Sequence, residues 1–200
     1  MRRLLIVAWC FVPILFLGFH YGAPGKKLQT LDQVDLLIKS AKASAGNSDW
    51  EMAVENYEEA LGLIPKEMAT ETREVMLEKC KAQMMAKQLP QAHGTLQGLL
   101  DDMLAEPVAD HNNELIFATR SSLANSQYYM TWLMRLEGEP EERWMPEIES
   151  ARQHYKLLTD QLKKNGDTER SQKYREDLES SIRLARMDLS ELQGLPLPSQ

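Results

Sequence analysis

The sequence predicts an all-α protein, built of antiparallel helical hairpins behind one N-terminal transmembrane helix. Three observations carry this expectation. Leucine, methionine, alanine, glutamate, glutamine and arginine dominate while valine and isoleucine are sparse, a balance that favours helix over strand. Alanines recur with large apolar or aromatic residues at helical spacing, as in Ala53, Tyr57, Ala60, Leu61 and Ile64. Leu4 to Ala23 is a run without a charged residue, matching the roughly 20 residues a helix needs to span a bilayer core.

The apolar run follows Arg2-Arg3, so the positive end should stay in the cytoplasm and the rest of the chain should cross the membrane. Two fates of this segment fit its residues. Phe19, His20 and Tyr21 form the amphipathic aromatic edge of an uncleaved, single-pass anchor. Ala23 and Gly25 are instead the small residues that precede a cut at Lys26 in a signal peptide, which would leave a secreted body. Cys10 follows Trp9 where a lipoprotein signal wants a small residue, which argues against lipidation. The expected organisation is residues 1–27 as anchor and linker, 28–193 as one helical domain and 194–200 as a frayed tail, with prolines at Pro196 and Pro198.

Residues 1–27 hold four basic side chains and no acid, so removing them takes the formal charge from −7 to −11. An acidic body argues against nucleic acid or anionic lipid as its main ligand. Cys80 is the body's only cysteine, so no intrachain disulfide can form there, and a buried, inert thiol is expected.

Along the chain, Ala23 to Lys27 reads as a short linker. Thr30-Leu31-Asp32-Gln33 has the form of a capping box opening a helix to about Ala45, ended by Gly46-Asn47. Ser48-Asp49-Trp50-Glu51 is a second capping box, opening a helix that stops at Pro65. A third helix is expected from about Arg73 to Ala86, and a fourth carries Leu89, Ala92, Leu96 and Leu99 with Pro90 in its first turn. Glu106 to Asp110 should be a loop. A long helix then covers about Asn112 to Arg135, with Leu115, Thr119, Ser122, Ser126, Tyr129, Leu133 and Leu136 on one side. Gly138-Glu139-Pro140 breaks it, and Pro146 can start the next, where Ala151, Tyr155, Leu158 and Leu162 repeat the alanine–aromatic rhythm. After the turn Asn165-Gly166-Asp167, a last helix carries Tyr174, Leu178, Ile182, Ala185, Leu189 and Leu192. Six or seven helices are expected in the body, from Lys26 to Gln200.

The stretch Asp49 to Pro65, with Ala53, Tyr57, Ala60 and Pro65 in frame, resembles the second helix of a tetratricopeptide repeat. In that frame Ala41 takes the small position of a first helix and Leu37 the tryptophan position, while Ser40 and Ser44 replace the usual leucine and tyrosine. Leu89, Ala92, Leu96, Gly98 and Leu99 echo the second-helix pattern, with Cys80 at the small position before them; beyond Met103 only the rhythm remains. The resemblance implies a solenoid that recognises other chains and performs no chemistry. It also implies a groove lined by first helices, at Asp35, Ile38 and Lys42 in one unit and Glu74, Leu77, Lys81 and Met84 in the next. The asparagine–lysine set that grips a C-terminal carboxylate in some family members is missing. The alternative for these side chains is simple solvation, or packing on a neighbouring helix.

Catalytic patterns are not found. The histidines at 20, 93, 111 and 154 lack a paired metal spacing, and Asp110, His111 and Glu114 read more simply as a helix cap. No serine lies in a Gly-x-Ser-x-Gly elbow and no glycine-rich phosphate loop exists. Tyr128, Tyr129, Trp132 and Trp144 form an aromatic cluster, read as core, whose exposed part would anchor a partner. The expectation is a non-enzymatic interaction module at the membrane, without cofactor or metal, binding a protein or peptide outside the cytoplasm. A permanent subunit of a membrane complex is the alternative, and a small exported enzyme has no constellation behind it.

Overall fold

The computed structural model of the chain describes residues 23–108 and 112–193. The apolar segment from Leu4, residues 109–111 and the predicted tail lie outside the described residues. Eight helices and no strand occur among the described residues: α1 (Ala23–Gly46), α2 (Trp50–Leu63), α3 (Ala69–Met85), α4 (Leu89–Ala105), α5 (Asn113–Leu136), α6 (Glu141–Lys164), α7 (Thr168–Arg186) and α8 (Leu189–Gln193). No helix among the described residues is long and apolar enough to cross a membrane.

Four interhelical turns share one hydrogen-bonding pattern. The N–H of Asp49 reaches the carbonyl of Ser44, Gln88 that of Gln83, Glu139 that of Met134 and Asp167 that of Leu162, at 2.8–3.0 Å. In each the preceding residue has positive φ: Ser48 at 62°, Lys87 at 61°, Gly138 at 76° and Gly166 at 78°. These are Schellman turns, which satisfy the last carbonyls of one helix and reverse the chain within a few residues. At three of them the closing residue also serves as N-cap of the next helix: Asp49, Gln88 and Asp167.

The chain divides into two compact units between Lys79 and Cys80, and α3 contributes to both. In the first unit α1 packs along α2. Ala41, Ala53 and Ala60 are fully buried, while Tyr57 (3% exposed), Val34 and Val54 fill the space beside them. Small residues let the helices approach closely, as the sequence pattern requires. Burial is the main reason the Tyr57 phenol is held above its usual pKa, and the Glu78 charge adds to it.

In the first hairpin two boundaries differ from expectation. The first helix begins at Ala23 rather than Thr30, so the predicted linker is helical. Pro24 and Gly25 both fall in the first turn, where the proline costs no hydrogen bond, and no further Pro or Gly follows before Gly46. The second cap is Asp49, not Ser48: its Oδ1 accepts the Met52 N–H at 3.3 Å, and Ser48 is consumed as the left-handed turn residue.

In the second unit α4, α5, α6 and α7 pack in consecutive pairs, and α8 returns to α5. Ile148, Ala151, Tyr155, Leu158 and Leu162 of α6 form the spine of a core completed by Phe117, Ala124, Trp132, Trp144, Leu184 and Leu192. Cys80 is buried and in no disulfide.

The expected side of α5 holds over Leu115, Thr119, Ser122 and Ser126, then fails: Leu133 and Leu136 are 44% and 38% exposed. Burial passes instead to Gln127, Thr131 and Trp132, because α5 has neighbours on several sides and α6 covers the Ala124–Trp132 flank. Two of its buried hydroxyls are satisfied locally, Ser126 Oγ donating to the Leu123 carbonyl (2.7 Å) and Thr131 Oγ1 to that of Gln127 (2.8 Å), whereas the buried Thr119 Oγ1 has no hydrogen-bond partner among the described residues.

Pro146 does not start α6 but lies inside it. Extended Pro140 is the N-cap, Glu141 and Glu142 suit the positive end of the helix, and beginning there delivers Trp144 to the core. The last predicted helix is two. Met187 is extended, and Asp188 restarts the chain: its Oδ1 accepts the Glu191 N–H (2.8 Å) while its own N–H donates to Glu191 Oε2 (3.1 Å). The break buries Leu192 and leaves Leu189 45% exposed. Along α7, Tyr174, Leu178, Ile182 and Ala185 are only half-buried, whereas Ser171, Ser181 and Leu184 face the core, since α7 packs chiefly on α6.

Candidate interaction surface

The seven side chains expected to line a groove fall into three classes. Asp35, Lys42, Glu74 and Lys81 are exposed, and Ile38 and Met84 are half-buried. Leu77, at 3% exposure, is a core residue. On α1 the buried positions Val34 and Ala41 leave Asp35 and Lys39 on an open flank, where they pair at 2.6 Å. Leu36 stands beside them at 66% exposure. In the sequence Leu36 does not stand out, because an apolar residue next to an apolar stripe looks like part of it.

A half-buried polar seam ties α4, α5 and α6 together. His93 Nε2 of α4 lies 3.2 Å from Glu147 Oε2 of α6, though its N–H is not aligned along that line. Gln127 of α5 donates from Nε2 to Ser150 Oγ at 2.9 Å. The His93 imidazole beside it is the main influence holding the Glu147 carboxyl below its usual range, against the opposing effect of burial, and Gln127 adds to it. Further along, burial pushes the His154 imidazole below its ordinary value, the Arg120 guanidinium pushes the same way, and Asp101 opposes both. Burial also lowers Arg120 itself. No sequence period pairs His93 with Glu147, which lie 54 positions apart in the chain on different helices.

The aromatic cluster belongs to the core. Trp132 and Trp144 are 5% and 8% exposed, with Tyr128 and Tyr129 packed edge-to-face beside them (5.8 Å). Tyr155 donates its hydroxyl to Asn125 Oδ1 at 2.7 Å, and burial first, then the Asp177 charge, drive its pKa well above 10. Phe117 and Tyr174 meet edge-to-face at 5.7 Å, and the Tyr174 hydroxyl bonds Ser121 at 2.9 Å.

No family model, curated protein or solved structure matches the chain. Its chemistry is therefore read from its own residues. Among the described residues no group of three or more His, Cys, Asp or Glu is placed to hold a metal. Asp110 and His111 lie outside the described residues, and Glu114 is exposed in the first turn of α5, behind an Asn112 cap (3.1 Å to the Leu115 N–H). What the described surface offers is charge and exposed aliphatic area on helix flanks, the materials of macromolecular contact.

Proposed function

We propose that the chain is a membrane-anchored protein–protein interaction module of tetratricopeptide-like hairpins, with its body outside the cytoplasm. The observation that carries this reading is the first hairpin. Alanines 41, 53 and 60 close α1 against α2, and α1 is left with Leu36, Asp35 and Lys42 in the open. The exposed leucine among charged side chains offers a partner one apolar contact beside polar ones. The recurrent turn geometry supports a hairpin array, and Arg2-Arg3 before Leu4 to Ala23 supports anchoring and topology.

The test is mild crosslinking of the full-length protein in its native membranes, followed by identification of attached chains. Lys42→Glu with Lys81→Glu should lower the yield without lowering the melting temperature, since surface changes usually move stability by no more than about 0.5 kcal/mol. Leu36→Glu should do the same through the apolar patch. Equal yields in all three proteins would retire this reading. A reporter fused after Gln200 that is active only in the cytoplasm would refute the topology.

A further inference from the structure

The end of α7 and the start of α8 border an open hollow of about 700 Å³. Half-buried Ile182 and Met187 give it apolar surface, and exposed Arg183 and Arg186 give it two guanidinium groups. Two carboxylates also border it: Glu179 pairs with Arg175 at 3.6 Å, and Glu191 accepts the Asp188 N–H at 3.1 Å. Neither Arg183 nor Arg186 is ion-paired among the described residues.

Cations at a helix C-terminus commonly do no more than answer its carbonyls. Here part of that work is done by others. Arg135 donates to the carbonyls of Leu184 and Met187, and the Met187 N–H to that of Arg183. Arg183 and Arg186 make none of these bonds, and they stand in a body whose formal charge is −11 once residues 1–27 are set aside. The hollow falls within the roughly 300–1,000 Å³ typical of ligand sites, room for several side chains rather than one small anion.

We propose that this hollow docks a short acidic, aliphatic-rich segment of another protein, its carboxylates on Arg183 and Arg186 and its aliphatic side chains on Ile182 and Met187. Charge complementarity selects this occupant. A flat anionic membrane would meet the surrounding acidic surface as well as the two arginines and be repelled by it. The proposal rests on the interaction-module reading and names its partner's chemistry.

The experiment uses the full chain in nanodiscs of neutral phosphatidylcholine and a fluorescein-labelled twelve-residue peptide of alternating Leu-Leu and Glu-Glu pairs, read by anisotropy. Saturable binding is expected, weakened at least tenfold by Arg183→Glu with Arg186→Glu. The reversed variant should instead bind the peptide in which lysine replaces glutamate. Arg183→Gln with Arg186→Gln serves if charge reversal alters the circular dichroism, and should give the same loss. The proposal is overturned if the wild type does not bind, if neither double variant weakens binding, or if the arginines bind only phosphatidylglycerol vesicles. It is equally overturned if the peptide binds only after residues 194–200 are removed, which would make the chain's own C-terminus the occupant. Crosslinking in native membranes separates this from the broader reading. A partner captured equally by wild type and both variants removes the hollow and keeps the module, whereas peptide binding without any captured partner does the reverse.

Discussion

The Arg135 guanidinium lies 4.8 Å from the centroid of the Trp144 ring, while its terminal nitrogens reach the carbonyls of Leu184 and Met187. One side chain from the end of α5 therefore joins the start of α6 to the end of α7. The planar fork explains why arginine serves here: two donors diverge toward two carbonyls while the π face rests on an indole.

Arg135→Lys keeps the charge and removes the fork. Hydrogen bonds from charged donors contribute about 1.5–3 kcal/mol each, and lysine can replace at most one, so a loss of about 1–3 kcal/mol is expected. Hydrogen exchange should quicken at residues 184–193 before the rest of the second unit. Unchanged protection there would mean that α8 holds its place without the clamp.

The four Schellman turns give a prediction of opposite signs. Ser48 and Lys87 occupy the left-handed region at φ near 60°, a conformation that costs a non-glycine residue about 1–2 kcal/mol. Ser48→Gly should therefore stabilise the first hairpin by up to about 1 kcal/mol after glycine's own entropy cost. Gly166→Ala should destabilise by about 1–2 kcal/mol through backbone strain alone, because a Cβ there meets nothing within 4 Å. Denaturant titrations decide both, and a destabilising Ser48→Gly would show that the Ser48 side chain does something the turn geometry does not require.

These turns also mark how far the sequence could be read. Gly166 was visible as a turn because glycine declares a left-handed position, and so was the break around Gly138. At the first hairpin the nearby glycine misdirects: Gly46 ends α1 as an ordinary helical residue, and Ser48 makes the turn. Helix type and the alanine spacing survived into the structure because both are local properties of a 3.6-residue period. The far end of α5 did not, because which of Leu133 and Trp132 is buried depends on where α6 lies. Pro146 misled for the same reason, the packing of Trp144 outweighing one lost hydrogen bond. The His93–Glu147 seam and the pair of arginines at the hollow are tertiary facts with no sequence period at all.

Tyr57→Ala tests the first hairpin. At 3% exposure the ring fills the space beside Ala41, Ala53 and Ala60, and removing a buried aromatic costs about 3–5 kcal/mol. The melting temperature should fall, with the loss confined to the first unit if hydrogen exchange is followed residue by residue. A melting temperature equal to the wild type's would mean that the hairpin is not held by this ring.

The last prediction concerns acid. His154 is half-buried with Nδ1 sealed from solvent and without a partner, and burial, then Arg120, disfavour its protonation against the weaker pull of Asp101. Its folded pKa lies below the ordinary value of 6.5, so above that value both folded and unfolded chains carry it neutral and it contributes no pH dependence. Below 6.5 the unfolded chain takes up a proton that the folded chain resists, and stability declines until the folded pKa is passed. Glu147, depressed chiefly by His93, loses its contribution only as the pH falls through its folded pKa, below 4.5. Asp177 is raised by burial, so acidification adds to stability there; this works against the decline, and removing His154 leaves it in place. Melting temperatures between roughly pH 7 and 5.5 should therefore fall more steeply for the wild type than for His154→Gln, the interval in which an ordinary histidine changes charge. Parallel slopes would place the acid sensitivity elsewhere and leave the His154–Arg120 contact without consequence for stability.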